Sequence, residues 1–272
     1  NFLTSQPDLN FHNPDVRQEL LDVTRFWLER GVDGFRLDTV NFYYHDDQLR
    51  DNPALGENRR NDKIAPAVNP YNWQDHVYDK SRPENIAFLE AFRAVLDEFG
   101  ATTSVGEIGD AQQGAELQAE YTTPGRIHMA YDFDLLSGDY PTGKRVADIM
   151  ERAQSMGDSW PCWAYSNHDV IRHVTRWELS DISARTYTTL LMCLRGSVCL
   201  YQGEELGLPE ADVPFDLLQD PYGIEFWPEF KGRDGCRTPM VWRSDNGNGG
   251  FTEGAPWLPV AAEHLPLSVA AQ

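Results

Sequence analysis

Residues 34–40 read Gly-Phe-Arg-Leu-Asp-Thr-Val, an apolar alternation that runs into a carboxylate. The alternation predicts a buried strand over residues 33–38 with Asp38 at its end, where the chain passes into a loop. Two later acidic motifs also lie at the ends of apolar runs, Val-Gly-Glu-Ile at 105–108 and Ser-Asn-His-Asp at 166–169. In a (β/α)8 barrel the edge at which the strands end carries the active site. The three carboxylates are therefore candidates for one catalytic edge.

A unit of helix followed by strand occurs more than once along the chain. Asn13 and Pro14 supply a helix cap and a first-turn proline, and apolar residues follow at helical spacing. Gly31 then ends the helix before the first strand. The same unit recurs over residues 83–107. Further strands are predicted near 127–133, 160–166 and 198–201, with helices near 144–155 and 182–194. This alternation predicts an α/β fold with a parallel sheet of about five strands, fewer than the eight that close a barrel.

Two segments interrupt this alternation. Residues 43–82 are rich in Asp, Asn and Pro and far exceed the few residues of an ordinary βα loop. We interpret this segment as a long loop that shapes a binding mouth. Residues 203–272 contain many prolines and predict irregular loop followed by a last helix.

The charge of the chain limits its partners. Asp and Glu number 43 against 23 Lys and Arg, which gives a formal charge of −20 over 272 residues. Such a surface repels phosphate backbones, so nucleic acid is not expected as a partner. A solvated acidic surface explains this balance, and adaptation to high salt is the alternative. No apolar run reaches the roughly 20 residues that span a bilayer, so no membrane partner is predicted.

The four cysteines show no paired metal-ligand spacing, and no cluster of His, Cys and Glu has that spacing either. No metal site and no cofactor are therefore predicted within the chain. Cys162, Cys193 and Cys199 fall in apolar contexts, where a free thiol packs as a small hydrophobic group. We interpret the cysteines as reduced thiols, which fits a cytoplasmic protein.

These motifs carry a family resemblance. Together with Gln-Pro-Asp-Leu-Asn at residues 6–10, they resemble the α-amylase clan of retaining glycoside hydrolases, in its oligo-1,6-glucosidase and α-glucosidase branch. The resemblance implies a (β/α)8 TIM barrel of which this chain carries the catalytic half, about strands 4 to 8. Residues 1–12 would end the inserted domain, and residues 13–272 would form the C-terminal portion of the barrel, with the long βα loop at 43–82. The first three strands, a small β domain and any structural divalent cation of the first βα loop would lie outside the chain.

The resemblance also assigns catalytic roles. Asp38 is implied to be the nucleophile, and Arg36 its positioning partner. Glu107 is implied to be the general acid/base, with a pKa raised by apolar surroundings and by the charge of Asp38. Asp169 and His168 are implied to grip the sugar hydroxyls and to stabilise the transition state. Taken singly, each carboxylate would be read as a surface or capping residue.

Further positions are implied to contact substrate. Arg237 resembles the arginine that closes the subsite for the non-reducing glucose, with Arg233 as the alternative. Thr39 occupies a position that resembles a linkage switch and favours α-1,4 bonds, and its alternative role is a backbone bond at the strand end. Phe2 and Phe133 lie near the pocket in the family pattern. The carboxylates of residues 204 and 205 are interpreted as scaffold.

The function expected from the resemblance is that of a retaining exo-α-glucosidase. It would hydrolyse terminal α-glucosidic bonds of short oligosaccharides, preferring α-1,4 bonds, by double displacement and with transglucosylation. The expected partners are thus small α-glucosides. A sucrose-active or isomaltose-preferring relative is the alternative within the family. A non-catalytic heavy chain of an amino-acid transporter is the alternative from another class, disfavoured because all three carboxylates are present.

Overall fold

Five short strands form one sheet in the order in which they occur along the chain. The computed structural model describes residues 5–61, 64–100, 102–110 and 112–272. Within these residues the strands are β1 (Gly34–Leu37), β2 (Thr103–Gly106), β3 (Met129–Asp132), β4 (Pro161–Trp163) and β5 (Ser197–Val198), in sheet order β1-β2-β3-β4-β5. Strands β1 and β2 pair in parallel, as do β2 and β3. The prediction of an α/β fold with about five strands is confirmed.

Helices separate the strands. They are α1 (Pro14–Leu28), α2 (Asn85–Asp97), α3 (Gly114–Tyr121), α4 (Phe133–Leu136), α5 (Gly143–Ser155), α6 (His173–Arg176), α7 (Asp181–Cys193) and α8 (Pro221–Glu225). The side chain of Asn13 accepts a bond from the N–H of Asp15 and so caps α1, with Pro14 in its first turn. After α8, residues 203–272 form irregular loop with short 3-10 helices at Asp234–Cys236, Ala262–Leu267 and Val269–Ala271, so the last helix expected there is of the 3-10 type. A proline inside the Ala262–Leu267 turn removes an N–H that an α-helix needs.

The chain divides into two compact units. The first comprises Asn1–Asp132 and Ile149–Cys162, and the second comprises Phe133–Asp148 and Trp163–Gln272. In the first unit, buried apolar side chains of α2 pack with side chains at the ends of the strands, among them Leu89, Val95, Leu96, Ile108 and Ile127. In the second unit Trp163, Tyr165 and Leu191 are fully buried. No helix of the described ranges is both long enough and apolar enough to cross a membrane.

Two glycines allow β1 and β2 to approach their neighbours closely. A Cβ on Gly34 would lie 2.3 Å from the carbonyl oxygen of Thr103, across the β1–β2 pair. A Cβ on Gly106 would lie 2.6 Å from Cδ1 of Ile127. A larger side chain at position 34 would meet the backbone of Thr103, whereas one at position 106 would displace the side chain of Ile127. Gly34 thus permits the close approach at the beginning of the β1–β2 pair, and Gly106 lies at the end of β2 directly before Glu107.

Candidate active site

The first two carboxylates follow paired positions of neighbouring strands. Leu37 at the end of β1 is in register with Gly106 at the end of β2. Beyond the strands, the N–H of Glu107 donates to the carbonyl of Leu37 at 2.9 Å, and the N–H of Val40 donates to the carbonyl of Glu107 at 2.8 Å. These bonds hold the backbones of Asp38 and Glu107 next to each other at one edge of the sheet, as the sequence predicts.

Arg36 joins the two carboxylates. Its Nη2 donates to Oε2 of Glu107 at 2.8 Å, and its Nη1 pairs with Oδ1 of Asp38. Burial lowers the pKa of Arg36, but the charge of Glu107 and the bond to Asp38 outweigh burial and leave that pKa above its usual value. One guanidinium thus stays charged between two acids and orients both.

The two acids differ in exposure. The side chain of Asp38 is 70% exposed, whereas that of Glu107 is 12% exposed. An exposed carboxylate can reach an incoming electrophile without moving the core. The nearly buried carboxyl of Glu107 accepts at Oε2 from the N–H of Thr39 at 3.3 Å as well as from Arg36, and the two donors fix its position.

Thr39 has a backbone conformation that few residues with a branched β-carbon adopt. Its φ is 40°, in the left-handed region. Local strain of this kind persists only where the surroundings fix it, and here the N–H of Thr39 donates to the side chain of Glu107. The described residues offer no hydrogen-bond acceptor to its hydroxyl. The proposed role of that hydroxyl in linkage choice stays a prediction.

The second unit holds Asp169 between two arginines. Its Oδ1 accepts from Nη1 of Arg233 at 2.8 Å and from Nη2 of Arg237 at 3.0 Å. Its Oδ2 lies 3.2 Å from Nε2 of His168, and the carbonyl of His168 accepts from Nε of Arg237 at 2.7 Å. The sequence offered Arg237 and Arg233 as alternatives, but the structure places both on the same carboxylate oxygen.

A further residue, Asp220, supports Arg233 and was missed by the sequence reasoning. Its carboxylate binds Arg233 with two contacts, at 2.9 and 2.8 Å, and also accepts from the N–H of Arg233 at 2.8 Å. The bonds to Asp220, followed by its charge, raise the pKa of Arg233 well above the ordinary range despite burial. In the sequence Asp220 precedes Pro221, which favours a helix cap, and it does accept from the N–H of Tyr222.

The structure does not test the two predicted aromatic contacts with sugar, those of Phe2 and Phe133. Phe2 falls outside the described residues. Phe133 begins α4 directly after β3, so its position at a strand end agrees with the sequence, and no ring contact of it is seen among the described residues. Its role in binding sugar stays a prediction.

Buried carboxylates elsewhere in the second unit serve the scaffold. Glu204 is 3% exposed and accepts from the N–H of Tyr201 at 2.9 Å, and it lies 3.2 Å from Nδ1 of His173. Burial raises the pKa of Glu204 to about 7 and lowers that of His173 to about 4, so a neutral imidazole faces this acid. A residue closed off in this way has no access to substrate.

The long loop after β1 encloses a cavity of about 220 Å³ in the first unit. Its polar wall includes Tyr71, His76, Lys80 and Asp110. The ammonium group of Lys80 is buried and donates to the carbonyl of Gly109 at 2.8 Å, which fixes the loop against the segment that follows Glu107. Oδ1 of Asp110 accepts from the N–H groups of residues 112 and 113, while the N-cap of α3 is Gln113, which makes no side-chain cap bond. The interpretation of this loop as a binding mouth stays a prediction.

Among the residues with described positions, no group of three or more His, Cys, Asp or Glu side chains is arranged to hold a metal ion. All four cysteines are free thiols. Burial raises the pKa of the Cys236 thiol to about 12, which makes it unreactive at neutral pH.

The whole chain, residues 1–272, matches the catalytic domain of alpha amylase. The chain belongs to the alpha-amylase family. It is 59% identical over 278 residues to a probable alpha-glucosidase of Rhizobium meliloti (strain 1021), covering 100% of this chain and 50% of that protein. It is 31% identical over 308 residues to an oligo-1,6-glucosidase of Parageobacillus thermoglucosidasius, covering 99% of this chain and 52% of the relative.

A crystal structure of the alpha-glucosyl transfer enzyme XgtA superposes with a TM-score of 0.94 at 53% identity, over 99% of this chain and 51% of that one. The chain therefore spans about half the length of the alpha-amylase family proteins that it matches. Its five strands are the corresponding part of a (β/α)8 barrel, as the sequence predicts. Along the chain Asp38 directly follows β1, Glu107 directly follows β2, and Asp169 comes after β4.

Proposed function

We propose that the protein containing this chain is a retaining exo-α-glucosidase, which hydrolyses terminal α-glucosidic bonds of short oligosaccharides by double displacement. The observation that carries the proposal is the position of Arg36, which contacts Asp38 and Glu107 at the ends of adjacent parallel strands. Two neighbouring carboxyl groups are the equipment that a retaining mechanism requires. The similarity to a probable alpha-glucosidase supports the same function.

In the first step Asp38 attacks the anomeric carbon while Glu107 gives its proton to the leaving oxygen. The bond from the anomeric carbon to that oxygen breaks, and a covalent glucosyl ester on Asp38 forms. Retaining enzymes hold the two carboxyl groups about 5 to 5.5 Å apart, and we expect that separation here. Glu107, now ionised, removes a proton from water, whose oxygen attacks the anomeric carbon; the bond from that carbon to Asp38 breaks, the Asp38 carboxylate and the Glu107 proton are restored, and glucose of retained configuration leaves.

The second unit supplies groups for binding the sugar. Asp169 and His168 would accept and donate hydrogen bonds at the sugar hydroxyls, with the carboxylate bond strengthening as the ring flattens. Arg237 and Arg233 orient Asp169 through one of its oxygens, which leaves the other oxygen beside His168. Arg237 would also help to close the end of the subsite, which makes the attack exo.

Glucosyl transfer is the second candidate activity. Transfer differs from hydrolysis only in the acceptor that reaches the covalent intermediate, so the same carboxylates serve both. The 53% identity with an alpha-glucosyl transfer enzyme favours this activity beside hydrolysis. We attribute the proposed preference for α-1,4 bonds to Thr39, which directly follows the nucleophile in the sequence.

The activity is to be measured in a protein of the relatives' length in which residues 1–272 form the matching half. The other half of its length can come from the gene that encodes this chain or from the 59% identical relative. The resulting protein is called the full-length protein below. Proton NMR of the glucose first released from p-nitrophenyl α-glucoside, whose leaving group is not a sugar, should show α-glucose, and added glycerol should divert part of it to glucosyl glycerol. Release of β-glucose first would contradict the retaining mechanism.

A further inference from the structure

The carbonyl oxygen of Cys236 accepts three side-chain donors at once. Nη2 of Arg172 and the hydroxyl of Tyr201 each lie 3.0 Å from it, and Nε2 of Gln202 lies 3.4 Å from it. A carbonyl oxygen has two lone pairs, so this one is fully occupied. Cys236 and Arg172 are almost completely buried, with 0% and 1% of their surfaces exposed. Hydrogen bonds in such surroundings hold a backbone group tightly.

This carbonyl belongs to the turn that carries both arginines of the Asp169 site. The turn Asp234–Cys236 lies between Arg233 and Arg237, and the carbonyl of Cys236 forms the peptide bond to Arg237. Any movement of that peptide group displaces Arg237, whose guanidinium contacts Oδ1 of Asp169.

Arg172 ties the turn to two other segments. It lies three residues after Asp169, and its Nη1 donates to the carbonyl of Gln202 at 2.7 Å. Its N–H donates to Oε2 of Glu210 at 2.8 Å. The loop of Asp169, the segment after β5 and the turn of the two arginines are therefore joined through one side chain.

We infer that Arg172 and Tyr201 are positioning residues, which hold the turn before Arg237 so that two arginines meet on Asp169. The expected effect of the two residues on catalysis rests on the proposed function. Their expected effect on the position of the turn rests on the structure alone. Neither residue belongs to the motifs from which the catalytic groups were predicted. Burial, opposed by nearby cations, raises the pKa of Tyr201 to about 12, so its hydroxyl stays a donor over the working pH range.

The alternative is that these side chains only stabilise the core of the second unit. Tyr187 provides a matched control, because its hydroxyl also donates to a backbone carbonyl, that of Pro141, at 3.0 Å in the same unit. Tyr201→Phe and Tyr187→Phe each remove one hydroxyl and one such bond. A purely structural role predicts similar effects of the two substitutions.

The test compares both variants with the wild-type full-length protein. We expect Tyr201→Phe to lower kcat/KM for maltose by about 3- to 10-fold, mainly through kcat, as befits one hydrogen bond that orients a transition-state contact. We also expect faster backbone hydrogen exchange in residues 233–240, measured by mass spectrometry. Tyr187→Phe should change neither quantity. Arg172→Lys, which keeps the charge but not the reach to both carbonyls, should act as Tyr201→Phe does.

Two readouts separate the possible failures. If the wild-type protein cleaves no α-glucoside, the proposed function fails, and the exchange of residues 233–240 still decides the positioning role. If Tyr201→Phe and Tyr187→Phe lower the melting temperature alike and leave both kcat and the exchange of residues 233–240 unchanged, the inference is wrong.

Discussion

Arg36 and Glu107 form an ion pair across the β1–β2 pair, with Nη2 2.8 Å from Oε2, although 71 positions separate them in the sequence. The same guanidinium pairs with Asp38, which lies two residues away from it on the same strand end. A shared cation reduces the repulsion between two neighbouring carboxylates and fixes their orientation. Arg36 thus orients the side chains of Asp38 and Glu107 without being proposed to take part in bond breaking itself.

Replacing the nucleophile should abolish turnover without unfolding the protein. Asp38→Asn removes the attacking oxygen charge, and the side chain is 70% exposed, so little packing is lost. We expect kcat of the full-length protein on maltose to fall by several orders of magnitude, with an unchanged melting temperature. Asp51→Asn, at an exposed position of the long loop, serves as the control. More than about a tenth of wild-type activity in Asp38→Asn would refute the assignment.

Replacing the acid/base should separate the two halves of the reaction. Glu107→Gln is nearly isosteric but cannot protonate the leaving oxygen, so maltose should not be cleaved. A substrate with a good leaving group needs no proton, and α-glucosyl fluoride should therefore still label the protein covalently. Intact-protein mass spectrometry measures that label, and Asp38→Asn should show none. A Glu107→Gln protein that forms no covalent adduct would argue against the acid/base role.

The elements of this fold could be predicted because their signals are local. The cap and proline at residues 13 and 14, the glycine at 31 and the alternation over 33–38 each act within a few residues. The structure accordingly places α1 at Pro14–Leu28 and β1 at Gly34–Leu37. The last helix is a short 3-10 helix, because a proline within it removes an N–H that an α-helix needs.

Contacts between distant segments were harder to predict. The convergence of Arg233 and Arg237 on Asp169 joins positions more than 60 residues apart, and no periodic pattern encodes it. The support of Arg233 by Asp220 and the bond from Arg172 to the Cys236 carbonyl depend on the same tertiary folding. Such residues look like ordinary surface charges or caps until the chain is folded.

Stability should depend on pH through Glu204. Burial raises its pKa to about 7, above the value near 4.5 of an exposed glutamate. The folded protein therefore binds a proton between these values that the unfolded chain releases. The stability that this group contributes is fully present below about pH 4.5 and is lost as the pH rises through about 7. The ionised form at pH 8 thus destabilises the fold, on the order of 1–3 kcal/mol.

Glu204→Gln removes this titration while keeping an oxygen to accept the bond from Tyr201. The melting temperature of the variant minus that of the wild type should therefore increase by several degrees from pH 5 to pH 8. Glu205→Gln, at the exposed neighbouring position, should show a constant difference over that range. A constant difference for Glu204→Gln as well would contradict the raised pKa.

Linkage preference is expected to depend on the hydroxyl of Thr39. Thr39→Val keeps the branched β-carbon, and therefore the strain of the left-handed backbone at φ 40°, and changes only the hydroxyl to a methyl group. The N–H of Thr39 still donates to Glu107, so the acid/base keeps that contact. Any change in specificity then comes from the side chain facing the sugar or an ordered water.

We expect the full-length protein to cleave maltose better than isomaltose, because a hydroxyl beside the nucleophile can bind a sugar group that a methyl cannot. Thr39→Val should narrow or reverse the ratio of kcat/KM for the two disaccharides by about 0.5 to 1.5 kcal/mol, the contribution of one hydrogen bond. Thr123→Val, an exposed threonine of the same unit, should leave the ratio unchanged. If Thr39→Val also leaves it unchanged, linkage preference lies elsewhere, and the long loop over residues 43–82 becomes the segment to exchange.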